Sequence, residues 1–369
     1  MPPIDLLIKP ASSLCNMNCK YCFYSDVSSN REFASYGIMS RQTAENLIVS
    51  AFEYASGHVG FAFQGGEPTL AGLDFYRFFV DAVQKYKKSG INVSYSIQTN
   101  GYAINEEWAE FFAQNNFLVG LSVDGFRQVH DELRLDRNGK GTYDKVMRSA
   151  EIMKSKSVDV NVLCVVNNFV ARYPKKVYEA LKSFGYVQFI PCIDDFSGNK
   201  QPYSLSIERY TDFLNDTFDL YYRDIMANNY VSVRNFDNYV KIILGGRPES
   251  CAMNGFCTCY CVVEADGSVY PCDFYVLDEW RLGNINNDML FDMINSTVAK
   301  KFVEVSRIVN DECKKCNYYK LCRGGCRRDR EPFVGEVPSL NKYCKAYKAF
   351  FDKNTDRLIK IARMLSIQR

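Results

Sequence analysis

The supply of cysteine constrains this chain more than any other feature of its sequence. Its 369 residues include 15 cysteines and only two histidines, His58 and His130. Small disulfide-stapled domains are richer in cysteine, at about 8–10% of residues, and usually carry an even number of thiols. Two histidines disfavour zinc or iron sites built on imidazole, and they disfavour a Ser-His-Asp triad. The composition therefore favours thiolate-ligated metal.

The cysteines are unevenly distributed along the chain. Three lie close together near the N-terminus, two are isolated in the middle, and ten lie between residues 251 and 344. This distribution predicts a catalytic domain over residues 1–230, a cysteine-rich domain over 231–344 and a C-terminal helix over 345–369.

Charge and apolar patterning disfavour several classes of partner. The 45 Lys and Arg nearly cancel the 43 Asp and Glu, so no overall field attracts nucleic acid or an anionic membrane. The N-terminus lacks the basic start and apolar core of a signal peptide, and no apolar run approaches the ~18 residues of a membrane span. We therefore expect a cytoplasmic protein with reduced thiols, and neither nucleic acid nor a membrane as its partner.

Short β-rich runs alternate with amphipathic helical stretches before residue 230. The candidate strands are Asp5–Lys9, His58–Gln64, Asn92–Gln98, Leu118–Val123, Val158–Val165 and Val187–Cys192. The candidate helices are Arg41–Ala55, Asp74–Lys87, Asn105–Gln114, Tyr143–Lys154, Pro174–Phe184 and Ile207–Met226. This alternation predicts βαβ units and a parallel sheet. Six units are too few for a complete (β/α)8 barrel, so the expected fold is α/β, a partial TIM-like (β/α)6 barrel.

Polar or glycine-rich segments follow four of the candidate strands. The early cysteines follow the first strand, and the second ends in Gln64-Gly65-Gly66-Glu67-Pro68. The third ends in Gln98-Thr99-Asn100-Gly101 and the fourth in Ser122-Val123-Asp124-Gly125. Because the chemistry of such barrels lies at the C-terminal ends of the strands, these segments predict one site at one mouth.

The early cysteines form the sharpest motif, Cys15-x3-Cys19-x2-Cys22, with Tyr21 before the last cysteine. Three thiolates on one loop suit three irons of a [4Fe–4S] cluster and leave the fourth iron open to a small molecule. The motif resembles that of the radical S-adenosylmethionine (radical SAM) superfamily. The resemblance implies that SAM chelates the open iron and that one electron cleaves it to a 5′-deoxyadenosyl radical. A zinc or reduced-thiol loop is the alternative.

Three further positions resemble SAM-binding residues of that superfamily. Gly65-Gly66-Glu67 is similar to the GGE motif, in which glycines permit close approach and a carboxylate pairs with the amino group of SAM. Ser122 and Arg134 are the candidate contacts to its ribose or carboxylate. The alternatives are an ordinary Gly-Gly-Glu-Pro turn and, for Arg134, a solvated basic side chain.

The cysteine-rich region resembles the seven-cysteine SPASM extension of radical SAM enzymes that modify peptides and proteins. Its spacing runs Cys257-x9-Gly267-x4-Cys272, then Cys313-x2-Cys316-x5-Cys322-x3-Cys326, then Cys344, and Cys251 supplies an eighth thiol. The resemblance implies two auxiliary [4Fe–4S] clusters. The first auxiliary set is Cys251, Cys257, Cys272 and Cys326, and the second auxiliary set is Cys313, Cys316, Cys322 and Cys344.

Zinc and free thiols are the alternatives in this region. CxxC pairs also ligate zinc, so two zinc sites in a non-catalytic scaffold, each held by four cysteines, would satisfy the spacing. Four cysteines fit neither auxiliary set, and we interpret them as buried free thiols. They are Cys164 and Cys192 in candidate strands, and Cys259 and Cys261, which alternate along another candidate strand.

Longer stretches across nearly the whole chain are similar to anaerobic sulfatase-maturating enzymes. They include Ile8-Lys9-Pro10-Ala11-Ser12-Ser13, Phe61-Ala62-Phe63-Gln64-Gly65-Gly66-Glu67-Pro68 and Pro271-Cys272-Asp273-Phe274-Tyr275. The resemblance implies three [4Fe–4S] clusters and SAM as cofactors. It also implies a nascent or unfolded sulfatase as substrate, and flavodoxin or ferredoxin as reducing partner. The alternative within this group is an enzyme that cross-links a ribosomal peptide through a thioether.

The resemblance also implies a reaction and its residues. The radical removes a Cβ hydrogen from the Cys or Ser of a Cys/Ser-x-Pro-x-Arg motif, and loss of a proton and one electron then gives an aldehyde from Ser or a thioaldehyde from Cys. Hydrolysis of the thioaldehyde, which releases its sulfur as hydrogen sulfide, gives the same Cα-formylglycine. Asp273 is the candidate base, because a carboxylate suits proton transfer beside the target. Tyr24 and Gln64 match positions near the substrate. A turn-forming Asp273 and a packing role for Tyr24 are the alternatives.

Overall fold

The computed structural model describes residues 2–367, and the chain divides into two compact units. The first unit comprises Met1–Ser122, Asp131–Val160 and Cys259–Phe302. The second comprises Val123–His130, Asn161–Thr258 and Val303–Arg369. These units are defined by spatial contact, so the sequential division at residues 230 and 344 stays a prediction.

The strands confirm the predicted α/β class, and all six candidate strands are present within two residues of their expected ends. In chain order, β1–β12 are Ile4–Ile8, His58–Phe63, Asn92–Thr99, Phe117–Ser122, Asp159–Val166, Tyr186–Pro191, Ser232–Val233, Val262–Val263, Ser268–Tyr270, Gly283–Asn284, Phe333–Val334 and Val337–Pro338. The strands β1 to β6 alternate with helices along the chain, as the (β/α)6 prediction requires.

In the first unit, β1, β2, β3 and β4 pair in parallel in that order. A short strand from the cysteine-rich region, β8, adds in parallel to the other side of β1 and pairs Ile8 with Val263. It continues through the antiparallel strands β9 and β10. In the second unit β5, β6 and β7 are parallel, and β11 and β12 form a hairpin. The pairing of β8 with β1 brings residue 264 beside residue 9.

The helices also follow the sequence pattern closely. In chain order, α1–α14 are Phe23–Ser29, Arg41–Tyr54, Leu73–Tyr86, Glu106–Gln114, Arg127–Leu133, Tyr143–Ser155, Pro174–Leu181, Ile207–Met226, Arg234–Ile243, Leu290–Ile294, Thr297–Ser306, Asp311–Lys314, Tyr319–Cys322 and Cys344–Ile367. Side chains cap α2, α4 and α8, because Ser40, Asn105 and Ser206 each accept a bond from a first-turn backbone N–H. Such caps give hydrogen-bond partners to backbone donors that would otherwise have none, and they stabilise the starts of these helices.

Aromatic side chains fill both cores. In the first unit, Phe61 and Phe63 of β2 meet Phe79 of α3 edge to face, with ring centroids 5.1 and 5.0 Å apart. In the second, α14 packs on α8 and α9, and Phe350 lies 5.3 Å from Phe218. The helix predicted at the C-terminus is present up to Ile367, and its last two residues lie outside the described part. No helix among the described residues is long and apolar enough to cross a membrane.

Candidate active site

The N-terminal cysteines lie on the loop that leaves β1. Cys15, Cys19 and Cys22 form no disulfide bond, and all three are half-buried. The backbone N–H of Cys22 donates to the carbonyl of Cys19 at 3.1 Å, and α1 begins directly after Cys22. Three thiols on one loop fit the donor set of a [4Fe–4S] cluster with one open iron.

Neighbouring polar groups contact the first of these thiols. The Met17 N–H donates to Cys15 Sγ at 3.4 Å, and Asn100 Nδ2, which follows β3, lies 3.7 Å from the same sulfur. Burial raises the pKa of the Cys15 thiol to about 11, so iron binding to this thiol would release a proton. The predicted convergence of the β1 and β3 ends is confirmed by these contacts.

Gly65 and Gly66 allow the cysteine loop to approach the end of β2. A Cβ on Gly66 would lie 2.1 Å from the Leu14 carbonyl oxygen, and Gly65 has φ +147°. The Gly66 N–H instead donates to the Ser12 carbonyl at 2.8 Å. The two glycines are therefore required by the backbone of this loop, whatever they contribute to SAM.

Glu67 is buried, and its carboxylate is held by the protein itself. Oε1 accepts from the Thr69 N–H and hydroxyl and from the Thr99 hydroxyl, while Oε2 accepts from the Asn100 N–H at 2.8 Å. Burial raises the pKa of Glu67, and these hydrogen bonds partly oppose the shift. Because Oε1 already accepts three hydrogen bonds, Oε2 is the oxygen that is available to accept a further hydrogen bond from an amino group. The predicted SAM contact of Glu67 stays a prediction.

The other candidate SAM residues lie near the same loop. Arg134 Nη1 donates to the Tyr21 hydroxyl at 2.9 Å, and both side chains are buried. The charge of Arg134 also lowers the pKa of Cys15, against the larger effect of burial. Ser122 is buried at the end of β4. Arg134 is therefore not a solvated side chain, and the packed Arg134–Tyr21 pair stands beside the cysteine loop.

Asp273 is held between two donors from different strands. The Lys9 ammonium, just after β1, forms an ion pair with Oδ1. Gln64 Nε2, just after β2, donates to Oδ2 at 3.0 Å. Lys9 is fully buried, whereas the Asp273 side chain is 15% exposed. The structure thus brings two predicted residues, Asp273 and Gln64, together around a lysine.

Tyr24 belongs to a buried polar cluster behind Lys9. Its hydroxyl donates to the Glu264 carboxylate, which also pairs with Arg31 at 2.9 Å. The Lys9 ammonium lies 3.8 Å from the centroid of the Tyr24 ring. Burial and the neighbouring Glu264 charge raise the pKa of Tyr24 well above its usual value. Lys9, Arg31, Glu264 and Asp273 carry two positive and two negative charges, so the cluster is balanced.

The sequence reasoning did not assign three members of this cluster: Lys9, Arg31 and Glu264. Lys9 and Glu264 each follow an apolar strand directly, in Leu-Leu-Ile-Lys and Cys-Val-Val-Glu. A charge at the end of an apolar run was therefore the available signal for these two. Arg31 lies after the short helix α1 in a polar stretch, and nothing in the pattern distinguished it.

The second auxiliary set converges in the second unit. Cys313, Cys316, Cys322 and Cys344 line one cavity, together with aromatic side chains of α13 and α14. Among residues 2–367, no three His, Cys, Asp or Glu side chains gather closely enough to hold a single metal ion. Thiols that share a cavity but stand apart fit a polynuclear cluster better than one zinc ion.

Three members of the first auxiliary set also lie near one another. Burial raises the pKa of Cys326, and the charges of Cys251 and Cys257 act in the same direction. All three are in the second unit, whereas Cys272 belongs to the first. Assignment of Cys272 to this set stays a prediction.

The four unassigned cysteines form no disulfide bonds. Cys164 and Cys192 are buried, as predicted, and burial raises the pKa of Cys192 to about 12. Cys261 is buried, but Cys259 is half-buried, with its sulfur 4.0 Å from that of Cys261. The strand predicted around them is wrong, because only Val262–Val263 is extended in the ladder and Cys261 has φ +52°.

Comparisons with known proteins find a family match for the N-terminal part of the chain and another for the cysteine-rich region. The Radical SAM superfamily matches residues 10–180, and the SPASM iron–sulfur cluster-binding domain matches residues 251–317. A cysteine-type anaerobic sulfatase-maturating enzyme of Clostridium novyi is 47% identical over 100% of both chains. A serine-type enzyme of Bacteroides thetaiotaomicron is 31% identical over 95% of this chain and 89% of its own length.

Two solved structures are also similar to this chain over nearly its whole length. Native anSMEcpe with bound AdoMet is 46% identical and has a TM-score of 0.94, covering 98% of this chain and 100% of that one. The same protein with AdoMet and the Cp18Cys peptide also has a TM-score of 0.94, covering 99% of this chain and 100% of that one.

Proposed function

Because this chain belongs to the anaerobic sulfatase-maturating enzymes, radical SAM oxidoreductases that generate formylglycine, we propose that it is a cysteine-type member with Asp273 as its proton acceptor. The observation that carries the proposal is the placement of Asp273 between Lys9 and Gln64. Each carboxylate oxygen has one protein donor, and each keeps lone-pair capacity for a further hydrogen bond. The Asp273 carboxylate can therefore accept the thiol or hydroxyl proton of the target residue.

Three [4Fe–4S] clusters and SAM are the cofactors, and together they supply a 5′-deoxyadenosyl radical for removal of the Cβ hydrogen and acceptors for the remaining electron. Cys15, Cys19 and Cys22 would hold the SAM-binding cluster, and the first and second auxiliary sets would hold the others. Tyr21, Gly65, Gly66, Glu67, Ser122 and Arg134 are the proposed SAM-binding residues. This assignment is supported by the hydrogen bonds that hold these residues around the cysteine loop.

Lys9 orients the proposed base. Its buried ammonium contacts Asp273 on one side and the ring of Tyr24 on the other. The buried Lys9 ammonium would lose its ion-pair partner if the carboxylate moved away, so the pair holds the carboxylate in one position. Gln64 fixes the second oxygen and can also reach the substrate through its side-chain carbonyl.

Tyr24 was predicted to contact substrate, and we propose a narrower role. Its hydroxyl is bonded to Glu264, and the residue is only 2% exposed. Its ring face supports the Lys9 ammonium, an arrangement that stabilises a desolvated cation. Tyr24 therefore acts on the target mainly through Lys9 and Asp273.

The preference for cysteine rests on the pattern of relatives. Cysteine-type enzymes of Clostridium novyi and Clostridium perfringens are 47% identical to this chain, whereas the serine-type enzymes of Bacteroides thetaiotaomicron and Klebsiella pneumoniae are 31% and 29% identical. The substrate we propose is a nascent or unfolded sulfatase, met in the cytoplasm. Flavodoxin or ferredoxin is the proposed reducing partner.

The test is anaerobic incubation of the reconstituted holoenzyme with SAM, a reductant and matched peptides carrying Cys-x-Pro-x-Arg or Ser-x-Pro-x-Arg. We expect 5′-deoxyadenosine and an aldehyde product, formed faster from the cysteine peptide. Asp273→Asn should still cleave SAM but form about 100-fold less aldehyde. Equal rates for both peptides would remove the cysteine preference, and full product from Asp273→Asn would remove its role. A thioether-linked peptide would favour the alternative function.

A further inference from the structure

The second unit carries an open groove whose lining includes three positively charged side chains. Its volume is about 460 Å³, and its lining includes Arg307, Lys320 and Arg323. The rest of the lining is apolar, aromatic or uncharged, and no carboxylate contributes to it. We call this surface the cationic groove. In a chain whose net charge is only +2, it is a local positive region.

The three cations are not neutralised within the described part of the chain. Arg307 and Lys320 are exposed, and none of the three forms an ion pair with a described carboxylate. The Arg307 guanidinium stacks over the Phe256 ring at 5.0 Å, and Arg323 Nε donates to the Lys320 carbonyl at 3.3 Å. The groove therefore presents an uncompensated field to solvent.

The floor of the groove is made by two cysteine-bearing loops. Gly255 and Phe256 lie between Cys251 and Cys257 of the first auxiliary set. Arg323 directly follows Cys322 of the second auxiliary set, with φ +52°. A Cβ on Gly255 would lie 2.7 Å from the Arg323 carbonyl oxygen, so the two loops are in direct backbone contact. Both proposed auxiliary clusters are thus anchored by backbone that lines this groove.

We propose that the cationic groove is the docking surface for an acidic one-electron carrier protein. The proposal rests on the proposed function. Each oxidation of a target thiol removes one hydrogen atom, one proton and one further electron. The oxidised form of the carrier accepts that further electron. An open surface with exposed cations and the 41% exposed Phe256 suits a transient protein interface. A small anion would instead need convergent buried donors, which this lining does not offer.

Charge complementarity of this kind acts mainly on encounter and is screened by salt. The carrier should therefore bind the holoenzyme more weakly as ionic strength rises from about 50 mM to about 300 mM, because the Debye length shortens over that range. Binding of the acidic carrier should not require SAM or the target peptide, since neither group contributes to the groove.

The test compares Arg307→Glu/Lys320→Glu with Lys87→Glu/Lys88→Glu, a control with the same charge change at two exposed lysines of the first unit. The probe is an acidic flavodoxin, and its dissociation constant from each holoenzyme is measured by calorimetry at low salt. The groove variant should weaken binding by about tenfold or more, while the control stays within about twofold. Iron content and the absorbance spectrum check that the clusters are intact.

A second readout separates this proposal from the proposed function. With a chemical reductant and oxidant in place of flavodoxin, the groove variant should form aldehyde at the wild-type rate. Equal flavodoxin affinity in the groove variant and the wild type would overturn the proposal, as would equal weakening in the control. Weakened binding of unfolded sulfatase or of single-stranded nucleic acid, with flavodoxin binding unchanged, would also overturn it. Absence of aldehyde from the wild type under chemical reduction would instead count against the proposed function.

Discussion

Replacing Lys9 by methionine tests the site most directly through a single side chain. Methionine nearly matches the length of lysine but removes the ammonium that contacts Asp273 and the Tyr24 ring. Breaking a fully buried ion pair costs about 3–5 kcal/mol. Because Asp273 is 15% exposed and keeps its bond from Gln64, we expect a smaller loss of unfolding free energy, about 2 kcal/mol.

The effect on the reaction should be larger than the effect on folding. A carboxylate released from Lys9 can shift by an ångström or more, and such misplacement costs roughly 100-fold in rate. The SAM-binding loop is untouched, so 5′-deoxyadenosine should still form while aldehyde falls by about 100-fold. The assay is the ratio of aldehyde to 5′-deoxyadenosine, measured anaerobically by mass spectrometry and chromatography.

The matched control is Lys85→Met, which removes an exposed lysine 3.3 Å from Glu45. Exposed pairs are worth about 0–1 kcal/mol, so stability and product ratio should barely change. If Lys9→Met kept the wild-type ratio, Lys9 would not position the base. If 5′-deoxyadenosine and aldehyde fell together, the lysine would instead support the radical-generating loop.

Three further predictions concern the loop, the core and one buried acid. Gly66→Ala places a Cβ 2.1 Å from the Leu14 carbonyl oxygen, so the N-terminal cluster should be lost and iron content should fall by about one third; full iron content would contradict this. Phe350→Ala should lower the unfolding free energy by about 3–5 kcal/mol in urea titrations, since Phe350 is fully buried, and a loss below about 1 kcal/mol would refute its core role. Burial raises the pKa of Asp237, so the folded state binds more protons than the unfolded state above the ordinary value of about 4, and stability falls as pH rises through that window. Asp237→Asn should flatten this part of the stability profile measured by thermal denaturation, and an unchanged slope would contradict the assignment.

Local patterns predicted the barrel strands and helices because each pattern has a local physical cause. The short β-rich runs end within two residues of the observed strands. Ile207–Met226 was predicted from its amphipathic pattern and is present with those bounds. The helices α1 and α5 have only seven residues each, too few for a long apolar stripe, and α1 has no cap bond from a side chain, so the sequence pattern does not reveal them.

The neighbours of the site were harder to predict because they depend on long-range pairing. β8 contains only Val262 and Val263, yet its register with β1 places Glu264 beside the Lys9 segment. No periodicity distinguishes a two-residue strand, and nothing local indicates which sheet edge accepts it. The cluster of Lys9, Tyr24, Arg31 and Glu264 is a consequence of that pairing. The motif resemblance identified Asp273 and Gln64, but only the structure shows the ammonium between Asp273 and Tyr24.

Two of the unassigned cysteines, Cys259 and Cys261, show the opposite case, in which a plausible local pattern leads to a wrong prediction. Cys259 and Cys261 alternate in the sequence, which is typical of a half-buried strand. The chain instead turns at Cys261, which has φ +52°, before entering β8. Residues with positive φ are usually glycine or asparagine, so a cysteine at this position does not predict a turn.

The central claim is that the chain removes one Cβ hydrogen and then one proton and one electron from a target cysteine. The most direct measurement uses a Cys-x-Pro-x-Arg peptide dideuterated at Cβ of the target, incubated anaerobically with holoenzyme, SAM and a reductant. We predict that one deuterium appears in 5′-deoxyadenosine for each aldehyde formed, and that the aldehyde keeps the other deuterium. Deuterium-free 5′-deoxyadenosine beside an unchanged peptide, or a cross-linked peptide in place of the aldehyde, would contradict the claim.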